Sequence, residues 1–588
     1  MRITKLTINN YKSFSPNDTS LIYHTPHTLL VGKNNSGKSN VFSALNILIG
    51  NKNPLWFKPT EEDFHDPEKP MRITLELGGF NEESRKTLFS LPNITKQQQG
   101  ALGKKSDADI QIQLSFERIL EDDGNAEEQQ EKPFEISLWG FKVHRKVEDV
   151  RRALCKMLLV PAIRDAGKEL SASQWTVYGQ LMKEVLRDSP SFDVVKKHLD
   201  DVNNDIQSIF ENEKKQVVEG ARIVSYVEDI DFQLTKEGDP TELLRNLEVF
   251  VTENGKKINI QNMGTGTQSA VIIGIFELAL KHKAGRNRIF LIEEPEAFIH
   301  PHGIRYLGNL LRNITDDVKN QVIASTHSPT LAATFTPQEI IRLEKVDGAT
   351  SVHQPDTGEL SDLHYRRMIN ADNAELFMSD GVILVEGDTE KHLFTSLSET
   401  TLLNSDKPEE GNCNFDRINV AVIKLNGKEN LLNYITILNA VDIQFASLLD
   451  QDFTESTHFR KTCELFKIDY SDVEMAKTEL KKKGVLVSSR GEIEDIIPDD
   501  DIVEMLFQYE LELNPDIPED RQSSLRESLS KKVANTKAEY PDKTSKAIES
   551  LFGGVGKSTY AIRIAEFYIK RNDHPFEALI RYLYKLMI

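Results

Sequence analysis

Several short stretches of this chain put glycines, carboxylates and a lysine at spacings suited to phosphate chemistry. Residues 32–39 read GKNNSGKS, which fits the pattern G-x-x-x-x-G-K-[ST]. In that pattern backbone N–H groups wrap nucleotide phosphates, the lysine reaches the β- and γ-phosphates, and the hydroxyl binds Mg²⁺. Gly32, Asn34, Asn35, Ser36, Gly37, Lys38 and Ser39 are therefore candidates for binding ATP, with Ser39 also a metal ligand. Residues 288–301, RIFLIEEPEAFIHP, run four apolar residues into Glu293 and Glu294. A buried strand that delivers acids at its C-terminal end can place Mg²⁺ and the attacking water of an ATPase. Glu293 would serve the metal and Glu294 would orient or activate water. A second apolar run, NQVIASTHSP (320–329), ends near His327. A lone histidine is usually structural, but this one also suits a γ-phosphate sensor.

The second half repeats the motif of an apolar run ending in acid. GVILVEGDTEKHLF (381–394) leads into Glu386, with Glu390 one helical turn on, and VDIQFASLLDQDFTE (441–455) leads into Asp450 and Asp452. Between them, INVAVIKLNGKENLLNYITILNA reads strand, turn, helix. In a parallel sheet such strand ends meet on one edge. Four acids there repel one another unless a divalent cation is present. Carboxylates suit Mg²⁺ or Mn²⁺ rather than zinc. Two such metals about 4 Å apart can lower the pKa of water and neutralise the leaving oxygen of a phosphodiester. A cation near the scissile phosphate is still required, because the acids are committed to metals.

The stretch LFGGVGKST (551–559) could be a second phosphate loop, but Leu551 stands where the first glycine is needed. The preceding DKTSKAIESLFGG reads as a helix closed by a glycine cap, not as a strand. Three readings of Lys557 stay open: a cation facing phosphate, a solvent-exposed helix start, and a second ATP site.

These motifs need elements to hold them. HTLLVGKNNSGKSNVFSALNIL supplies strand, loop and helix around the first glycine motif, and MRITKLTINNYKSF alternates like a strand. At 588 residues the chain exceeds one core, so several domains are expected. The segment 116–134 is acidic and reads as an exposed loop. From about 165 to 218 the pattern is helical without enough heptads for a long coiled coil. An inserted helical hairpin serving dimerisation and a decorated surface helix both fit.

The formal charge of −20 argues against nonspecific coating of nucleic acid or membrane. Residues 521–588 nevertheless hold 13 Lys and Arg against 7 Asp and Glu, a local basic surplus that suits a phosphodiester backbone or simply a solvated helical face. The three cysteines are far apart and form no CxxC, which removes a disulfide framework and a cysteine zinc site. No apolar run nears the ~18 residues of a membrane span, and the N-terminus lacks the apolar core of a signal peptide. A cytoplasmic protein is the expectation.

The first-half motifs resemble the ABC-type ATPases of the SMC/RecF kind. NMGTGTQSAVIIG (262–274) sits where that group carries its signature, and Gly264, Gly266 and Gln268 keep a degenerate form of it. In that group one subunit's signature closes over its partner's ATP, so the resemblance implies a homodimer or higher homo-oligomer. The EGDTE and DxD strands resemble a Toprim domain, and the order ATPase then Toprim resembles the OLD (overcoming lysogenization defect) family. That resemblance covers nearly the whole chain. It implies an α/β protein: an ABC-type ATPase in residues 1–164 and 221–370 around a helical insertion at 165–220, then a Toprim nuclease domain with a C-terminal helical region at 371–588.

The OLD resemblance also assigns residues. A segment like VLVSSRGEIEDIIP (485–498) supplies another metal acid in the family, which points to Glu494, with Glu492 second and a plain surface acidic stretch as the bland alternative. A family lysine ahead of a C-terminal helix approaches the nuclease centre, and Lys557 matches it. The implied activity is an ATP-hydrolysing, Mg²⁺- or Mn²⁺-dependent DNA endonuclease or nickase in anti-phage defence. DNA is the implied substrate, and a co-encoded defence protein or bound nucleic acid an implied trigger. The rival is a nucleotide-gated DNA-binding clamp or recombination mediator that keeps the Toprim fold for binding. The intact set Glu386, Glu390, Asp450 and Asp452 favours catalysis. No tyrosine-nucleophile domain is evident for a topoisomerase, and the cysteines are too few for a primase zinc module.

Overall fold

The computed structural model describes residues 2–50, 57–79, 112–118, 135–138, 141–143, 156–160, 176–209, 240–246, 248–281, 288–297, 301–313, 320–354 and 368–588 except 490, 542 and 572, with the single positions 86, 299 and 365. Two compact units make up the chain: Met1–Leu30, Gly37–Thr326 and Lys345–Ser351 form the first, and Val31–Ser36, His327–Glu344 and Val352–Ile588 the second.

The first unit holds two sheets. One is antiparallel, in the order β2-β1-β4-β5-β6-β7, from β1 (Arg2–Asn9), β2 (Thr19–Ile22), β4 (Met71–Gly78), β5 (Ile112–Arg118), β6 (Glu135–Leu138) and β7 (Phe141–Val143). In β1 the side chains of Ile3, Leu6 and Ile8 are all buried, although strict alternation would put Ile3 opposite the other two. A register shift between Ile3 and Lys5 resolves this, since one extra residue resets the alternation. The segment expected to be a loop at 116–134 departs from that reading at its start: Phe116, Glu117 and Arg118 finish β5 opposite β4. Alternating apolar positions there outweigh the acidic tail. Residues 119–134 lie outside the described residues.

The other sheet contains four parallel neighbours, β3 (His27–Val31), β12 (Asn320–Ser325), β11 (Arg288–Glu293) and β8 (Lys156–Val160). Leu29 and Leu30, Phe290 and Leu291, and Val322 and Ile323 are fully buried, as expected of strands covered on both faces. Burial of a side chain of this size contributes about 1.5–3 kcal/mol. Gln321 joins the two sheets: its Oε1 accepts from Ile3 N–H at 2.7 Å and its Nε2 donates to Ile3 C=O at 3.0 Å. A side-chain amide there does the work of a missing backbone pair.

Helix α1 (Lys38–Ile49) follows the phosphate loop. Helices α2 (Val177–Arg187) and α3 (Phe192–Ile209) occupy the described part of the helical segment, with the Thr176 hydroxyl capping α2 by accepting from Gly179 N–H. Residues 165–175 and 210–220 of that segment lie outside the described residues. A hairpin, β9 (Phe250–Glu253) and β10 (Lys256–Asn259), precedes α4 (Thr265–Lys281), and α5 (Pro301–Asn313) follows β11.

The second unit is built on a four-stranded parallel sheet, β16-β15-β17-β18, from β15 (Gly381–Val385), β16 (Val420–Lys424), β17 (Gln444–Leu449) and β18 (Val485–Val487). Helix α6 (Asp388–Ser398) follows β15 and α7 (Leu431–Ala440) follows β16, the strand–turn–helix order expected from sequence. Helices α8 (Thr544–Leu551) and α9 (Lys557–Arg571) share one apolar cluster with the sheet, including Ile383, Val385, Leu393, Tyr560 and Ile564. The C-terminal helices therefore complete this core.

Strands β13 (Ile340–Val346) and β14 (Ala349–His353) lie between the two sets of motifs. Arg342 in β13 is buried, and its guanidinium donates to the backbone carbonyls of Ser379 at 3.2 Å and Val441 at 3.1 Å. Ser379 and Val441 stand just before β15 and β17, so one side chain braces the starts of both acid-bearing strands. Lys33 of the phosphate loop forms an ion pair with Asp380, between Ser379 and β15.

Candidate functional site

In the phosphate loop Gly32 (φ 136°), Asn35 (φ 65°) and Gly37 (φ 106°) all adopt positive φ, the left-handed conformations that glycine and asparagine tolerate best. Gly32 is required sterically as well, because a Cβ there would collide with the carbonyl oxygen of Leu343. Gly37 caps α1 at its N-terminus, Lys38 is the first helical residue, and Ser39 beside it is exposed. Lys38 is buried, and burial pushes its pKa down to about 8 against the opposing pull of Glu294 and Glu296.

Glu293 ends β11, and Glu294 follows in the left-handed region at φ 41°. For a residue other than glycine this costs about 1–3 kcal/mol. The Glu294 N–H donates to Ser325 C=O at 3.0 Å, so the end of β12 holds the kink. The Thr326 hydroxyl donates to Glu296 Oε1 at 2.5 Å. Lys38, Glu294 and Glu296 thus share one electrostatic environment in the first unit. Glu296 was not anticipated from sequence, although its place three residues after Glu293 in EEPEAF was a usable signal.

The signature residues lie at the start of α4. A Cβ added to Gly264 or Gly266 would meet nothing within 4 Å among the described residues, so none of those residues requires their small size. Gln268 instead donates to the carbonyls of Met263 at 2.9 Å and Ile260 at 3.2 Å, fixing the turn ahead of the helix. His327 sits two residues past β12, half-buried, in the second unit.

These lysine and glutamate placements carry a test. Lys38→Ala should abolish nucleotide binding in calorimetry. Glu294→Gln should still bind ATP but turn it over too slowly to detect, and a normal rate would remove Glu294 from its role.

In the second unit β15 and β17 are adjacent and parallel, with Val385 opposite Leu448. Their C-terminal ends present Glu386 and Asp450 side by side, and the Asp450 N–H donates to Glu386 Oε1 at 3.1 Å. Helix α6 brings Glu390, whose Oε2 accepts from Gly387 N–H at 3.1 Å. Past β18, a short turn at Ile493–Ile496 carries Glu494, which is buried.

Residues 377–452 match the Toprim domain of overcoming-lysogenization-defect-like proteins, and residues 1–332 match the AAA ATPase domain family. The chain belongs to the AAA ATPase family and carries an OLD-like Toprim domain. Among curated proteins, OLD nuclease of Thermus scotoductus is 24% identical over 471 residues, covering 76% of this chain and 82% of that protein. Old nuclease of Escherichia phage P2 is 21% identical over 515 residues, covering 83% of each. A solved C-terminal region of the Xanthomonas campestris pv. campestris OLD protein matches at 20% identity and a TM-score of 0.26, covering 36% of this chain and 95% of that one.

Burial and mutual repulsion dominate the OLD-like Toprim centre. Burial, then Glu386, Glu390 and Glu494, push Asp450 up to about 9. Burial and then Glu494 push Glu390 up to about 7. Glu386 and Glu494 are also raised, burial first in both. Lys557 opposes the rise at Glu386, Glu390 and Glu494, which places its charge at this centre. It is the exposed first residue of α9. The preceding element is helix α8, closed by Gly553 and Gly554 at φ 80° with a Gly554 N–H to Glu549 C=O bond of 2.8 Å. No strand leads into GGVGKST, as the sequence indicated.

Other acids have distinct partners. Asp452 is exposed and pairs with Lys428 at 2.6 Å. Glu492 accepts from the Ser545 N–H at 2.7 Å and hydroxyl at 2.9 Å, so it caps α8. Among the described residues no three His, Cys, Asp or Glu side chains converge closely enough to hold a metal ion as they stand. Glu386, Glu390, Glu492 and Glu494 each accept from a donor of their own instead. The donor set itself, buried carboxylates whose pKa values are raised by burial and then by one another's charge, fits a hard divalent cation. Sequence reasoning missed Lys428, Thr389 and Tyr560. Lys428 had a signal, since NGKEN follows a strand of the same sheet.

The repulsion predicts a stability effect. Raised carboxylates favour the folded state at low pH, and that contribution is lost as pH rises through about 7 for Glu390 and about 9 for Asp450. With metals chelated, melting temperature should fall from pH 6 to pH 9, and Asp450→Asn should flatten the fall. Added Mg²⁺ or Mn²⁺ should raise the melting temperature of the wild type more than that of Asp450→Asn.

Proposed function

We propose that this chain is an ATP-hydrolysing, divalent-metal-dependent DNA nuclease of OLD type. The observation that carries the reading is the pairing of Glu386 with Asp450 at the ends of adjacent parallel strands, beside the charge of Lys557. Both curated relatives are named as nucleases, which supports it. Glu386, Glu390, Asp450, Asp452 and Glu494 would hold Mg²⁺ or Mn²⁺. Bound there, the metal would supply an activated water and neutralise the leaving oxygen. Glu386 and Asp450 orient the centre through their shared hydrogen bond, Lys557 faces the scissile phosphate, and the acid-lined edge excludes phosphate that arrives without its cations.

In the ATPase part, the loop Gly32–Ser39 holds ATP and its Mg²⁺, Glu293 assists the metal, Glu294 positions water, and His327 senses the γ-phosphate. The domain limits 1–164, 165–220, 221–370 and 371–588 belong to this proposal. So does a homodimer in which Gly264, Gly266 and Gln268 close on the partner's nucleotide. The space that the described residues leave around both glycines supports that use. Anti-phage defence and a cytoplasmic setting complete the reading; no helix among the described residues is long and apolar enough to cross a membrane.

The deciding experiment incubates the protein with supercoiled and linear DNA in Mg²⁺, Mn²⁺ or EDTA. Nicking or cutting that requires metal is expected. Binding without cleavage in every condition would overturn the nuclease in favour of a clamp.

A further inference from the structure

Helix α9 brings more than Lys557 to the carboxylate centre. Tyr560 lies three residues further on, so it shares the helix face of Lys557. It is fully buried, and its hydroxyl donates to Glu494 Oε1 at 2.6 Å. Thr389, directly before Glu390 in α6, donates to the same oxygen at 2.9 Å. The two hydroxyls are 3.2 Å apart. One oxygen of a buried acid is therefore held by two donors, from two helices that pack along each other.

A buried tyrosine hydroxyl needs an acceptor, and a backbone carbonyl would satisfy it. Here the acceptor is an acid of the metal-binding set, and a threonine converges on the same atom. Two hydrogen bonds converging on one oxygen fix its rotamer more firmly than packing alone, and they strengthen about twofold when a cation holds the acid ionised. With Oε1 committed to hydroxyls, Oε2 is the oxygen that can serve a cation.

We propose that Tyr560 and Thr389 are positioning residues that hold Glu494 ready for the divalent metal. Through α9, Tyr560 also ties the placement of Glu494 to that of Lys557. Any shift of the helix moves the phosphate-facing cation and the tyrosine together, so the two stay in register. This rests on the metal-dependent nuclease reading. Outer partners of metal-binding side chains typically account for 10–100-fold in metal affinity.

The test is Mn²⁺ binding to the full-length, nucleotide-free protein by calorimetry, with no DNA present. Tyr560→Phe and Thr389→Val each remove a hydroxyl while keeping shape. Each should weaken Mn²⁺ binding about 10–100-fold, and Thr389→Ser should bind like wild type. In a Glu494→Gln background, Tyr560→Phe should add no further loss, because its effect passes through Glu494. Cleavage by either hydroxyl variant should recover most of its rate at saturating Mn²⁺. Unchanged Mn²⁺ affinity in the variants, or a loss fully additive with Glu494→Gln, would overturn the inference and leave the nuclease reading standing. A wild-type protein that binds no Mn²⁺ would overturn both. Thr389→Val keeps the test intact should Tyr560→Phe fail to fold.

Discussion

Replacing Asp450 with alanine is expected to reduce metal-dependent DNA cleavage to background while ATP hydrolysis continues at the wild-type rate. Asp450 lies among Glu386, Glu390 and Glu494, and its N–H bonds to Glu386. Its removal takes away a central carboxylate and changes the field felt by the other three. The loss should reach about 10³-fold or more, beyond the effect of deleting one transition-state donor. Glu386→Ala should behave alike. Glu293, which ends β11, and Glu294 after it lie in the first unit, so turnover should survive. Parallel plasmid-nicking and phosphate-release assays on folded variants measure both. Equal loss of the two activities would contradict the separation of the two chemistries.

The second large effect is expected at Lys557. Lys557→Ala should slow cleavage by about 10²–10³-fold, as loss of a single donor to developing charge does elsewhere. Arginine at this position should restore little, since a planar fork does not replace a compact ammonium in a fitted site. Nucleotide stoichiometry should stay unchanged, because the strand-led loop is the one at 32–39. A second ATP site would lower that stoichiometry in Lys557→Ala, and a bare helix start would leave cleavage untouched. An unaltered nicking rate would remove Lys557 from the centre.

Elements whose local and global signals agree were readable in the sequence. GVILV and QFASLL are apolar runs that end in acids, and both are strands of one parallel sheet. TSKAIESL followed by paired glycines is a capped helix. What stayed hidden depends on contacts between distant segments. Tyr560 and Thr389 each look like ordinary helix residues, and only the packing of α9 along α6 brings both to Glu494. GEIED offers two glutamates two positions apart, and the sequence does not say which one caps a helix that starts fifty residues later. The left-handed turn at Glu294 is equally silent, since no glycine marks it.

Arg342 has a bearing on how this protein tolerates change. Its partners at 379 and 441 are main-chain carbonyls, which every amino acid supplies. Conservative changes at those positions leave the brace intact, although Ser379 and Val441 are themselves buried and constrained in size. Position 342 has no such freedom: a shorter or neutral side chain would strand buried carbonyls at about 1–3 kcal/mol each. The joint thus depends on the side chain at 342, which Glu344 also pairs at 2.6 Å. A library of conservative replacements at 379 and 441 should yield mostly functional clones, and one randomised at 342 should collapse back to arginine.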